Sequence, residues 1–218
     1  MNRATLLLLL AAISCHSPVE PVTLLTDFTK GAGGWEADAS DFTSETAPME
    51  LVQEPRERGF YCSAHNRSDD VFLFLRRRIE VAPNRPYRVA YSITFASPEG
   101  SGCVGAGGSP GESVFMKLGL TATKPVVQQK DGYFGLSADK GQQAEAGKEA
   151  TILGNVANGG PCTEPKQFVS ITRKGSYPHI VRSNASGELW AFVGTDSGYE
   201  GLNTLYYERI EFTLTPLP

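Results

Sequence analysis

Between Gly187 and Leu214 the chain reads as two extended runs split by a glycine-punctuated loop, and this pair restricts the fold more than any other stretch. Leu189, Ala191 and Val193 alternate with Trp190 and Phe192. Past the loop, Leu205, Tyr207, Arg209, Glu211 and Thr213 alternate with Tyr206, Glu208, Ile210, Phe212 and Leu214. Successive side chains of a strand point to opposite faces, so a period of two rich in aromatic and β-branched residues is the mark of sheet. A chain that closes on its last strand uses that strand to complete a sandwich or barrel.

The rest of the chain repeats the theme. Strands are expected at Thr23–Phe28, Phe60–Ser63, Val71–Val81, Tyr87–Phe95, Val114–Thr121, Tyr133–Leu136, Thr151–Val156 and Phe168–Thr172, with Asp38–Met49 irregular. No window of about 12 residues carries a helical apolar period. Many short strands joined by turns, with abundant glycine and proline, predict an all-β fold, an antiparallel β-sandwich. The length suits a single domain of about 200 residues. A formal net charge of −4 gives no electrostatic reason to expect nucleic acid as a partner. The one basic run, Arg76-Arg77-Arg78, follows four apolar residues and reads as the solvated end of a strand.

Met1–Arg3 is a short basic region and Thr5–Ala12 an apolar core with five consecutive leucines. This is shorter than the roughly 20 residues of a membrane span and reads as an export signal. Ala12-Ile-Ser-Cys15 resembles the bacterial lipoprotein signal. That resemblance implies cleavage before Cys15, lipid on this cysteine and a membrane partner through the lipid. Residues 1–14 are then the signal peptide, 15–22 the lipidated cysteine and tether, and 23–218 a single β-sandwich domain. With His16 after the cysteine, where an aspartate would favour retention at the inner membrane, the expected location is the bacterial cell envelope, and the outer membrane if the source is Gram-negative. Export permits disulfides. Cys103 and Cys162 lie in turn-rich contexts and are expected to pair. Cys62, in Gly-Phe-Tyr-Cys-Ser, reads as a buried strand residue left free. Zinc lacks the paired-ligand spacing it needs.

Gly107-Gly-Ser-Pro-Gly111 matches the hydrolase G-x-S-x-G pattern, but a strand follows where a helix is required. Gly100–Gly105 matches G-x-G-x-x-G, again without its helix. Both read as glycine-rich loops. Asp69, Asp70, Glu112, Asp196, Glu200 and Glu208 fall in loops or at strand ends, and loop aspartates are mostly turn formers. A carboxylate-dependent glycosidase or lyase, which needs two carboxyls about 5–10 Å apart, is the lesser reading beside a non-catalytic one. Among the aromatics, Trp35 and Trp190 read as core. Tyr199 is the foremost exposed residue for stacking on a sugar ring, followed by Tyr133 and Tyr177; Tyr61 and Tyr206 are also available. The loops 66–70, 105–112 and 195–200 are expected to converge on one rim and present Asp69, Asp70, Glu112, Asp196, Tyr199 and Glu200 to a ligand.

Asp27-Phe28, Gly34-Trp35, Tyr87-Arg-Val-Ala-Tyr and Leu205-Tyr-Tyr-Glu-Arg-Ile-Glu-Phe resemble the opening, middle and closing strands of jelly-roll carbohydrate-binding modules of the galactose-binding-like type. The mature chain, with Ser-Asp-Asp, Gly-Cys-Val-Gly, Gly-Ser-Pro-Gly-Glu-Ser and Gly-Thr-Asp-Ser-Gly, also resembles a set of uncharacterised bacterial lipoproteins. The first resemblance implies a jelly-roll sandwich and a structural calcium between first and last strands, with Asp27 and Glu208 near the corresponding places. Together these readings predict a lipid-anchored envelope protein with a non-catalytic binding sandwich. Carbohydrate is the leading ligand; a protein partner in the envelope is the alternative.

Overall fold

The computed structural model describes residues 20–218; the export signal expected over residues 1–14 and the lipidation expected at Cys15 lie outside the described residues. Fifteen strands follow in order: β1 (Val22–Asp27), β2 (Glu36–Ser40), β3 (Phe42–Thr43), β4 (Met49–Arg56), β5 (Gly59–His65), β6 (Val71–Glu80), β7 (Pro86–Ser97), β8 (Val114–Thr121), β9 (Val127–Lys130), β10 (Tyr133–Leu136), β11 (Ala150–Asn155), β12 (Val169–Ser176), β13 (Val181–Arg182), β14 (Glu188–Ser197) and β15 (Leu202–Pro216). One 3-10 turn, Phe28–Lys30, is the sole helical element among the described residues.

The strands form an antiparallel β-sandwich of jelly-roll type. A seven-stranded sheet runs β12-β7-β15-β5-β4, with β1 added to β15 and β13 to β7. A five-stranded sheet runs β11-β8-β14-β6-β2, and a small third sheet runs β3-β10-β9. The closing run anticipated in the sequence is central to both main sheets. β14 lies between β6 and β8, and β15 has β7 along one edge and β5 then β1 along the other.

Alternation decides what each strand buries. Leu189, Ala191 and Val193 of β14 face the seven-stranded sheet and join Leu118, Ile79, Ile210 and Phe212 in the main core. Burying each such side chain contributes about 1.5–3 kcal/mol. β15 breaks strict alternation, since Leu205, Tyr207, Ile210, Phe212 and Leu214 all face inward. A β-bulge between Tyr207 and Arg209 inserts the extra residue that makes this phase change. Trp35 is buried in the core, its Nε1 donating to Thr26 Oγ1 at 3.0 Å.

The opposite face of the five-stranded sheet is also partly covered. Phe72, Phe74 and Phe192 point away from the main core and are buried with Ala138, Ala150, Val127 and Leu136. The third sheet and the 137–149 loop supply that cover. Gly119 and Gly194 are required here, because a Cβ at either would collide with the rings of Phe192 and Phe72. Farther along the same face, Trp190 is not a core residue. It stands half-buried outside the sheet with Lys124 Nζ 5.1 Å from its ring centroid, because its place in the alternation is opposite to that of Leu189 and Ala191.

The region 38–49, expected to be irregular, instead contributes to β2 and forms β3, and β4 follows it. β4 is an edge strand with mostly exposed side chains and carries Pro55, which an edge tolerates. Cys103 and Cys162 are joined, with Cα atoms 5.2 Å apart, tying the 98–113 connection to the loop before β12; Cys62 is free and buried. Burial pushes the Cys62 thiol up to about 12, which makes it unreactive.

Candidate functional site

Three places gather functional side chains. The first is the outer face of the seven-stranded sheet. Strand register sets Tyr61 of β5 directly opposite Tyr206 of β15, both facing outward, with ring centroids 4.9 Å apart. Phe168, just before β12, meets Tyr206 edge-on at 4.9 Å. The guanidinium of Arg56 lies 3.7 Å from the Tyr61 centroid, within cation–π range. Arg58, in the β4–β5 turn, reaches over the same rings, 5.7 Å from Phe168 and 6.0 Å from Tyr206. Its Nε donates to Glu208 Oε1 at 2.9 Å and its Nη2 to Ser170 Oγ at 3.3 Å. Hydroxyl pairs flank the rings: Ser63 with Thr204 at 3.2 Å, and Thr94 with Thr172 at 3.0 Å. A groove of ≈ 580 Å³ is lined by Arg56, Glu57, Arg58 and Tyr206. The chemistry on offer is flat apolar rings edged by donors and acceptors.

The second place lies under the third sheet. Lys117 of β8 and Asp196 of β14 are wholly buried with Nζ 2.7 Å from Oδ2. Lys140, from the loop after β10, places its Nζ 2.7 Å from the same oxygen and 3.1 Å from Asp41 Oδ2. The backbone N–H of Gln143 also donates to Asp196 Oδ2, at 2.9 Å. Lys117 Nζ donates further to the carbonyls of Lys140 and Glu145, each at 3.0 Å. Asp196 Oδ1 and Asp70 Oδ1 are buried without a partner. Burial pushes Asp70 up to about 6, with Lys140 pulling the other way. Burial likewise raises Asp41 against the pull of Lys140, and lowers Lys117 against the pull of Asp196. Burial works to lower Lys140 too, but Asp196 and Asp41 together outweigh it and the net direction is upward. Above the cluster, a cleft of ≈ 540 Å³ is lined by Asp41, Asp70, Tyr133 and Lys140 among others. Tyr133 is 40% exposed and its Oη donates to Asp41 Oδ1 at 3.2 Å.

The third place is the loop rim. The loops 66–70, 105–112 and 195–200 do converge. Asn66 Nδ2 donates to the carbonyls of Ser197 and Tyr199 at 2.9 Å, and Glu200 N donates to Ala106 O at 2.9 Å. Gly107, at φ +69, leaves no space for a side chain beside Gly198 O, Asp69 Oδ1 and Glu200. These loops pack on one another. Tyr199 therefore does not stand free: its ring is half-buried against the main core and fills space that a Cβ on Gly105 or Gly201 would take. Asp69, Glu112 and Glu200 are exposed there, Glu112 Oε2 accepting from Gly102 N at 3.0 Å.

Other expected site residues sit elsewhere. Asp196 belongs to β14 and not to a loop, and the lysines claim it; a wholly buried carboxylate cannot meet a ligand at the rim. Tyr177 is buried, its Oη donating to Glu149 O at 2.9 Å, so its ring is not a platform. Asp27 caps the 3-10 turn, accepting from Thr29 N at 3.1 Å and Thr29 Oγ1 at 2.6 Å, with Lys30 and Arg209 as cationic neighbours. Glu208 sits at the bulge and is taken by Arg58. That donor set, already committed to hydroxyl, amide and guanidinium groups, does not fit calcium. Among the described residues no group of three or more His, Cys, Asp or Glu side chains is placed to hold a metal. Asp41, Lys117, Lys140, Arg56, Arg58 and Phe168 were not singled out from the sequence. Their signals were weak, though a lysine between Met116 and Leu118 on an apolar strand marks a buried charge in need of a partner.

No protein-family model matches the chain, and no curated protein matches it. Solved structures align with it at low identity. The xylan-binding module CBM15 is 11% identical over 89% of this chain and 97% of its own, with a TM-score of 0.43. The carbohydrate-binding module TmCBM27, described for specific mannan recognition, is 8% identical over 89% of this chain and 98% of its own, at 0.40. The K3 adhesin domain of Lys-gingipain from Porphyromonas gingivalis is 8% identical over 88% and 98%, at 0.36.

Proposed function

We propose that the protein is a lipid-anchored, non-catalytic binding protein of the bacterial envelope that holds a glycan on the outer face of its seven-stranded sheet. One observation carries this reading: Tyr61, Tyr206 and Phe168 form a contiguous group of rings on an uncovered sheet face, edged by Arg56, Arg58 and four hydroxyls. Aromatic faces pack against the apolar face of a pyranose, while guanidinium and hydroxyl groups at their edges bind its hydroxyls. Two carboxylates beside the rings are held in ion pairs, Glu208 by Arg58 and Glu54 by Arg56, which supports a surface for holding over one for general acid–base work.

The anchor rests on the order of basic, apolar and small residues before Cys15. From Cys15 to Val22 the tether spans at most about 25 Å. Val22 pairs with Leu214, whereas Tyr206 lies eight residues back along β15. At about 3.4 Å per residue that is about 27 Å, so the rings sit towards the end of the sandwich remote from the tether.

The test is a glycan and polysaccharide binding screen of the protein, repeated with Tyr206→Ala and with a chelator. Binding to a defined glycan, weakened by Tyr206→Ala and indifferent to the chelator, is the expected result. Binding that ignores both Tyr61→Ala and Tyr206→Ala would move the site elsewhere. A protein partner is the second reading, favoured by the exposed apolar group Met49, Leu51 and Leu202, where Met49 and Leu202 both pair with His65. Capture of an envelope protein that is lost in Leu202→Asp, with no glycan bound, would select it. Fatty-acid labelling that disappears in Cys15→Ser checks the anchor.

A further inference from the structure

The buried cluster beneath the third sheet contains the parts of an amide-forming centre. The geometry points to a covalent cross-link between the side chains of Lys117 and Asp196, joining β8 to β14 through a Nζ–Cγ amide. This inference is independent of what the outer face binds.

The argument begins with the three N–H bonds of the Lys117 ammonium. Two are held by the backbone carbonyls of Lys140 and Glu145, and the third is given to Asp196 Oδ2. Removing that third proton leaves a lone pair aimed at the Asp196 carboxyl group while the carbonyls keep the amine in place. Held reactants of this kind convert a slow bimolecular condensation into an intramolecular one. The carboxyl is prepared as well. Its Oδ2 receives the Lys140 ammonium at 2.7 Å and the Gln143 N–H at 2.9 Å, donors that stabilise the oxyanion of a tetrahedral intermediate. Its Oδ1, the oxygen that must leave, makes no hydrogen bond.

The role of proton carrier falls to Asp70, which lines the cleft over the cluster with Asp41 and Lys140. Burial holds Asp70 up to about 6, with Lys140 pulling the other way, and one of its oxygens is buried without a partner. Burial and the neighbouring Lys140 charge also push Lys117 towards its neutral form.

The balance closes without an oxidant, reductant or activating group. The Lys117 proton moves along its hydrogen bond to Asp196, Asp70 relays it to Oδ1 so that the carboxyl is a neutral acid, and the freed amine attacks Cγ. The Nζ–Cγ bond forms and negative charge collects on Oδ2. Collapse breaks the Cγ–Oδ1 bond. Oδ1 leaves as water with that proton and a second one from nitrogen, and the third stays as the amide N–H. One ammonium and one carboxylate become one amide and one water. Two fully buried charges vanish, which removes a desolvation penalty that an ion pair must keep offsetting. Lys140 remains paired with Asp41.

Mass spectrometry of the native chain decides the matter without a variant. After reduction and trypsin digestion, the cross-link yields a branched peptide. Val89–Lys130, uncut at Lys117, is joined to Ser183–Arg209, and the mass is about 18 Da below the sum of the two, one water. Recovery of only the linear peptides, with cleavage after Lys117, overturns the proposal. A branch that joins Asp196 to Lys140 overturns the choice of Lys117. In Asp70→Asn the uncrosslinked fraction is expected to rise; complete cross-linking in that variant removes Asp70 from its role as proton carrier.

Discussion

The two outer faces of the sandwich carry the same kinds of residue and use them in opposite ways. On the seven-stranded sheet, Arg58 and Glu208 pair at 2.9 Å with side chains 40% and 20% exposed, beside the rings of Tyr206 and Phe168. On the five-stranded sheet, Lys117 and Asp196 pair at 2.7 Å with no exposure at all, beside the Phe72, Phe74 and Phe192 cluster. Water screens the first pair, which adds little to stability, and its groups remain available to a ligand. The third sheet seals the second pair in low dielectric, where the two charges must stay paired or be lost together to the amide, and nothing large can enter. Cover, and not composition, separates the solvated face from the sealed one.

That contrast breaks first at Asp196. Asp196→Ala strands Lys117 on the covered face, leaving Lys140 to Asp41 alone, and is expected to destabilise the protein by about 3–5 kcal/mol in chemical denaturation. A loss below about 1 kcal/mol would mean that the covered cluster does not hold the fold. Next comes the open face, where Tyr206→Ala is expected to weaken glycan binding about tenfold, about 1.4 kcal/mol, with the thermal midpoint almost unmoved. A large fall in that midpoint would show that these rings serve the fold as well.

Asp70 sharpens the comparison through pH. Its folded value of about 6 lies above the ordinary 3.8, so between these values the folded state binds more protons than the unfolded one. Stability from this group is greatest below the ordinary value and is lost as pH rises through about 6. Asp70→Asn is expected to flatten that fall and to be the more stable form at pH 7.5, as read from denaturation midpoints across pH. The smallest effect belongs to Arg58→Ala, expected to change stability by less than about 1 kcal/mol while still weakening binding.

Much of this arrangement was legible in the chain. The bounds of β8, Val114 to Thr121, were legible as an apolar extended run, and β7 and β14 were clear because their alternation matches inward residues that meet an unbroken core. β4 was not legible, since an edge strand with exposed side chains has no apolar face to advertise. The convergence of the three polar loops could be anticipated, but not that Tyr199 would be half-buried where they meet. Trp190 illustrates the same limit. Its alternation was plain, but which side of β14 faced the other sheet was not, and that choice put the indole outside.

What the sequence by itself determined is the class of fold and the supply of aromatic and charged side chains. Period-two patterning and turn chemistry are local properties, and they act wherever the chain finds itself. Only the tertiary structure decided which charges are sealed and which are solvated. Asp196 meets Lys117 and Lys140 from 79 and 56 residues away, and Tyr61 meets Tyr206 across 145. Such meetings depend on strand order, on the bulge between Tyr207 and Arg209, and on the small sheet that covers one face and leaves the other open.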